Sequence, residues 1–329
     1  MDAKITKQRL SRLLSYDWIK IIGIAVAVII LWSLVFTMTA TRITPAQQFT
    51  VFNHYANVSL DYGSFYDNYN SAIAKGVFSY EVLEADVIDL TTAGENRYTM
   101  CDTRFTTGQG DMMYVPNITD TELAAEEIQM TYVESFISRY MPYIISWDEY
   151  MTDAREYLND YYNGDYVHNE LDTVKAERDF RARVKTTRDK RFRKESKLEQ
   201  GVKDEFARLT KYRDEFVKFE KYISDGVVKF ENVIYKDGGT GEPYLNSQTG
   251  EIAVQGNYAL NICPDETKMN GLKNQVYYSQ AMEDGTSKAS AQDMCVILFF
   301  LPDMDETFQY ETVLYLNTVI AASMTSAQA

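Results

Sequence analysis

The sequence predicts an α/β ectodomain with a long helical insertion, preceded by one N-terminal transmembrane helix. Three observations carry this. An uncharged apolar run opens the chain, strand-like and helix-like patterns alternate over residues 49–117, and a helical periodicity fills about 120–225 before strand patterns return.

The run IIGIAVAVIILWSLVFTMTA begins at Ile21, ends at Ala40 and contains no charge. Twenty residues of helix rise about 30 Å, the thickness of a bilayer core. Before it stand Lys4, Lys7, Arg9, Arg12 and Lys20 against Asp2 and Asp17, and no Lys or Arg cluster follows Arg42. The positive-inside rule therefore gives a cytoplasmic basic tail (1–20), an anchor in the lipid bilayer (21–40) and a cell-membrane protein whose C-terminal part is extracytoplasmic. A cleaved signal peptide is the competing reading. Its apolar region is shorter, and Met38 with Ala40 makes a poor cleavage site.

Residues 41–48, with Pro45, read as a stalk, and 49–329 as the extracytoplasmic domain. Beyond Arg42 the net charge is -19. That balance argues against nucleic acid, which is held by neutralising phosphates.

Within the domain, 49–55 alternates as a strand, 62–75 is helix-like and closes at Gly76, and 80–90 is a strand. A helix follows over 96–106, then a strand over 112–115 that stops at Pro116. This is the layout of a parallel βαβαβ unit, because parallel neighbours need crossovers of such length. Thr119 or Asp120 caps a helix from Glu122, Pro142 interrupts, and 146–159 is helical before Asn163-Gly164. Residues 170–224 read as one long helix or a hairpin. Val202, Leu209, Phe216 and Ile223 recur every seven residues, an apolar seam for a helix of the same chain or of a second one. Strands return over 227–235, 251–262 and 295–301, and 308–321 closes as an amphipathic helix.

No catalytic constellation emerges: G-x-S-x-G, H-E-x-x-H and the phosphate-loop pattern are all missing, and no enzyme activity or cofactor is expected. Cys101, Cys263 and Cys295 stand far apart, without the C-x-x-C spacing of structural zinc. Residues 159–170 imitate a calcium loop, but Tyr161 occupies a position that needs a side-chain oxygen, so no metal is expected. Residues 175–197 hold eleven Lys or Arg against four acidic residues. Arg181, Arg188 and Arg191 of that run are the candidate partner surface, facing acidic self-surface or an anionic envelope component.

The segment 49–117, ending Thr106-Thr-Gly108-Gln-Gly110-Asp111-Met-Met-Tyr-Val115 and Pro116-Asn117, resembles the opening of an extracellular solute-binding protein of the type 2 periplasmic-binding class. It departs from that pattern in having Gly110 where the family usually has Pro, a helical middle segment instead of a second α/β lobe, and only Trp147 beyond the anchor for sugar stacking. The resemblance implies a ligand cleft beyond the carboxyl ends of the strands, lined here by His54, Tyr55, Asn57 and Asn117. The expected function is a single-pass, membrane-anchored, non-catalytic solute-binding-like module that engages a ligand or a membrane transport partner. The alternative is a structural or scaffold subunit of a cell-envelope or secretion assembly.

Overall fold

The computed structural model describes residues 18–39, 47–56, 58–60, 76–187, 189–281, 285–300 and 311–324. The chain divides into two compact units, Met1–Arg42 and Ile43–Ala329. Within the first, α1 (Trp18–Thr39) carries one charge, Lys20 in its first turn, and the stretch Trp18–Phe36 is long and apolar enough to cross a membrane. None of that stretch is buried within the protein, so α1 is not a core helix. Of the tail expected at 1–20 and the stalk expected at 41–48, residues 1–17 and 41–46 lie outside the described residues.

The second unit is built on a mixed sheet of seven strands, β1 (Gln48–Asn53), β3 (Glu84–Asp89), β4 (Met112–Pro116), β5 (Ile144–Ile145), β6 (Lys229–Ile234), β7 (Gln255–Asn261) and β10 (Met294–Phe299). Their order is β3-β1-β4-β10-β7-β6, with β5 pairing β10. The first three strands run parallel, in the arrangement read from the alternating patterns of 49–115. The crossover between β3 and β4 carries α2 (Arg97–Thr106), whereas the helix expected at 62–75 lies outside the described residues. The later strands join the same sheet antiparallel.

Burial explains why the central strands are apolar without interruption. In β4, Met112 and Tyr114 enter one hydrophobic cluster while Met113 and Val115 enter the other. In β10, Val296 and Leu298 face the first, and Cys295, Ile297 and Phe299 the second. A strand covered on both faces loses the polar alternation of a half-exposed one. The first face is covered by α5 (Trp147–Tyr161), α7 (Glu195–Ser224) and α8 (Glu311–Ser323), and the second by α2 and α4 (Tyr132–Tyr140). Residues 120–225, expected as a helical insertion, thus contribute helices to both faces and β5 to the sheet itself. A second sheet, β2 (Val58–Leu60), β8 (Val276–Ala281) and β9 (Ser287–Ser290), has no counterpart in the sequence reading.

Of the two options for 170–224, the hairpin is observed. α6 (Thr173–Thr187) is joined through a turn of 3-10 helix at Lys190–Phe192 to α7, and the two helices pack together. On α7, Val202, Leu209 and Phe216 are buried within the monomer, as are Tyr212 and Phe219, while Ile223 is half-buried. Gly201 sits at the tightest part of this hairpin. A Cβ there would lie 2.5 Å from Phe180 Cζ and 2.6 Å from a Phe192 ring carbon. Since Phe180 is itself buried, Gly201→Val is expected to lose about 1–3 kcal/mol through overpacking. Urea titration would read this, and an unchanged midpoint would refute the tight approach.

Charged groups lock the hairpin to the segment preceding β3. Glu205, 1% exposed, takes two hydrogen bonds from the Arg208 guanidinium at 2.9 and 2.6 Å, and Arg208 itself is 2% exposed. Arg183 reaches Glu205 at 3.2 Å and Glu81 at 3.3 Å, and Arg191 also pairs with Glu81. Tyr80 donates to Glu205 at 2.8 Å, and Arg208 donates to Tyr157 at 2.7 Å.

Candidate functional site

A cleft of about 270 Å³ opens at the carboxyl-terminal edge of the parallel strands. Tyr55 enters it from the turn after β1, and Tyr98 from the first turn of α2, the helix that follows β3. Asp120 caps α3 (Thr121–Ala125), its Oδ1 accepting the Glu122 and Leu123 N–H groups at 3.0 and 3.2 Å. Its Oδ2 accepts the Ser135 hydroxyl at 2.8 Å, which ties the cap to α4.

α4 forms the opposite wall. It begins with a capping box, in which Thr131 Oγ1 accepts the Glu134 N–H and the Glu134 carboxylate accepts the Thr131 N–H. Ser135, Ser138 and Arg139 follow at spacings of three and four, which bring them onto one helix face. Phe136 and Leu123 add apolar wall, and Gly238 closes the rim. The turn carrying Gly238 is fixed by Asp237 Oδ1, which accepts from Gly239 N–H and Thr240 Oγ1, and by the Lys236 to Glu134 ion pair at 2.6 Å.

Two guanidiniums stack on the cleft's tyrosines. Arg97 lies 3.9 Å from the Tyr55 ring centre and Arg139 3.9 Å from that of Tyr98. Arg97 is paired with Glu122. Arg139 has no carboxylate within ion-pair distance among the described residues, and its Nε donates only to Tyr140 Oη at 3.4 Å. The Ser138 hydroxyl and Arg97 Nε are buried without a hydrogen-bond partner among the described residues. Burial, then the hydrogen bond and charge of Tyr98, push the Tyr55 phenol upward, so it stays protonated.

Of the described residues expected to line this edge, Tyr55 does so. His54 is fully buried beneath it, with its ring 4.0 Å from that of Tyr55 and 5.5 Å from that of Tyr132. Its Nδ1 accepts the Ala56 N–H at 3.2 Å, which leaves the proton on Nε2. Asn117 is half-buried, outside the cleft lining, and its N–H donates to the Asp293 carbonyl at 2.9 Å. Asn57 and Arg188 lie outside the described residues. Of the two options for the basic run, the described residues show pairing with acidic groups of the same chain. Arg181 is paired with Glu177, Glu195 and Glu199, and Arg191 is turned onto Glu81 and Asp189. Acidic groups of the same chain neutralise both, and which carboxylates do so is decided by tertiary packing that the spacing of the basic residues does not show.

The calcium-like loop is closed by its own bonds: Asn159 Oδ1 accepts the Tyr166 N–H, and Asp165 holds His168. Among the described residues no group of three or more His, Cys, Asp or Glu side chains is placed to hold a metal. Burial pushes the thiols of Cys101 and Cys263 up to about 12 and that of Cys295 upward as well, so all three stay protonated at neutral pH.

Burial, aided by the Arg97 charge, lowers the His54 pKa to about 3. The folded state therefore resists a proton that the unfolded chain takes up near 6.5, and stability is lost as pH falls below 6.5. At pH 5 this amounts to about 2 kcal/mol. Asp111, pushed up to about 7 by burial, acts in the opposite direction, since stability falls as pH rises from the ordinary carboxylate range through 7. The His54 contribution is accordingly the difference between wild type and His54→Asn, in which Asn can still accept the Ala56 N–H. Denaturation at pH 7.5 and pH 5 should show the wild type losing about 2 kcal/mol relative to the variant. Parallel profiles would place His54 in contact with water.

Compared with family models, with curated proteins and with solved structures, the chain matches none.

Proposed function

We propose that the chain is a single-pass membrane protein whose extracytoplasmic α/β unit is a solute-binding-like, non-catalytic module with its ligand site at the cleft between Tyr55, Tyr98 and α4. The observation that carries this reading is the position of the cleft. It lies beyond the carboxyl ends of three parallel strands, where open α/β sheets bind ligands, and it is lined by aromatic walls with a few convergent polar groups. Binding rather than catalysis is supported by a buried, neutral His54 and by three buried thiols. The scaffold alternative drew on a free helical seam, and Val202, Leu209 and Phe216 are consumed within the monomer.

Hydrogen exchange on the full-length protein in nanodiscs, with and without fractionated small-molecule extract, tests the site. Protection is expected at Tyr55, Tyr98 and α4; protection confined to the outer faces of α6 and α7 would favour the scaffold. Orientation rests on the basic residues before α1 and is tested separately. Protease treatment of intact cells should remove the C-terminal unit and leave an N-terminal membrane stub. A mature N-terminus near Thr41 would overturn the anchor, and a protease-resistant C-terminal unit would overturn the orientation.

A further inference from the structure

We infer that the cleft takes a small organic carboxylate with a compact apolar body, its head group held by Arg139 and Ser138. This rests on the reading of the cleft as a ligand site and adds the chemical class of its occupant.

The existing partners of the polar groups at the cleft decide which ligand class it can take. Both carboxylates at the cleft are engaged. Asp120 accepts two backbone N–H groups and the Ser135 hydroxyl, and Glu122 is paired with Arg97. A ligand ammonium would have to displace one of these partners. The donors are in the opposite condition. Arg139 is exposed, lacks a carboxylate partner among the described residues, and uses only its Nε, leaving both terminal nitrogens to donate side by side. Ser138, one helical step away, lines the same cleft, and its hydroxyl is buried with no hydrogen-bond partner among the described residues. A buried hydroxyl without a partner carries an uncompensated desolvation cost, which a ligand oxygen would remove. Two parallel N–H groups and one hydroxyl match the two oxygens of a carboxylate. Tyr55, Leu123 and Phe136 supply the surface for an apolar body, and about 270 Å³ is at the small-ligand end of binding cavities. The stacking of Arg139 on Tyr98 keeps its guanidinium plane oriented before a ligand arrives, so little freedom remains to be lost on binding.

The test uses the full chain in nanodiscs and four probes: benzoate, its neutral isostere benzamide, benzylammonium, and inorganic phosphate. Calorimetry gives affinity, and nitrogen-resolved NMR of α4 and the turn at Tyr55 locates it. Benzoate is expected to bind with shifts at Ser138, Arg139 and Tyr55, and the other three to bind far more weakly. Arg139→Gln should weaken benzoate about tenfold or more, while Arg139→Lys keeps part of the affinity. Ser138→Ala should weaken it severalfold while leaving the thermal midpoint unchanged or higher, because the orphaned hydroxyl is gone. Benzamide binding as tightly as benzoate, or an affinity indifferent to Arg139→Gln, overturns the carboxylate assignment and leaves the cleft as a ligand site. Benzylammonium or phosphate binding in preference reassigns the class. If no probe perturbs the cleft residues of a folded protein, both the assignment and the ligand-site reading fail.

Discussion

Glu205→Ala is expected to destabilise the protein by about 3–5 kcal/mol, because it removes one partner from a buried ion pair and leaves the other charge behind. Arg208 is the charge left behind. Its side chain is fully shielded from solvent, and it also donates to the neutral Tyr157 hydroxyl at 2.7 Å. Arg183 loses a second carboxylate at the same time, so the cost falls on two guanidiniums. Burial opposes the ionised form of Glu205, but Arg208 and Arg183 outweigh it and hold its carboxyl down to about 2. Its folded pKa lies below the unfolded one, so this stabilisation is present above the ordinary glutamate range and is lost as pH falls from about 4.5 toward 2. Urea denaturation of the full chain measures the loss. The double variant Glu205→Met, Arg208→Met should recover a large part of it, since the buried guanidinium is then removed together with its carboxylate. If the double variant is worse than Glu205→Ala, the pair contributes net attraction rather than mutual relief.

Phe216→Ala should cost about 3–5 kcal/mol and Leu209→Ala about 2–5 kcal/mol. Leu209 is wholly inaccessible, and Phe216 packs against Tyr166 with ring centres 5.8 Å apart in the cluster shared by α5, α7 and α8. The surroundings are rigid helix and sheet, so the cavity cannot collapse fully, and the cost includes lost contacts as well as lost burial. Midpoints independent of protein concentration are expected, because the seam is internal. A loss of self-association with unchanged monomer stability would show that the seam had been serving a second chain.

The parallel strands were legible because apolar residues alternate there with turn residues at short spacing, and the seam of α7 because its heptads are regular. The break between α6 and α7 was not. No Gly or Pro marks residues 188–194, and the turn is held by Asp189 accepting the Arg191 N–H at 2.8 Å and by Arg191 reaching Glu81, a residue 110 positions away. β8 and β9 were missed for a different reason. Ser279, Gln280 and Ser287 to Ala289 are exposed, so the apolar pattern that advertises a strand is thin. At the site, the rule that ligands meet the carboxyl ends of strands led to Tyr55. It also led to His54 and Asn117, because it cannot say whether the residue after a strand turns outward or folds under. Tyr98 could have been found as the first-turn residue of a helix entering from that same edge. Ser138 and Arg139 carry no local sign, since α4 belongs to a stretch whose packing onto the sheet is decided by tertiary contacts.

The position of β10 sets a timetable for assembly. This strand, Met294–Phe299, bridges the parallel half of the sheet to β7 and also receives β5, so every earlier strand of the sheet's middle waits for it. A ribosome must synthesise nearly the whole chain before β4 and β7 acquire their shared neighbour. Until then the first half carries an open sheet edge at β4, a template for wrong pairing. Contacts between residues so distant in sequence also make the final closure slow. A nascent chain halted before Met294 should remain sensitive to protease and dependent on a chaperone, whereas one released after residue 324 should become resistant in a single cooperative step.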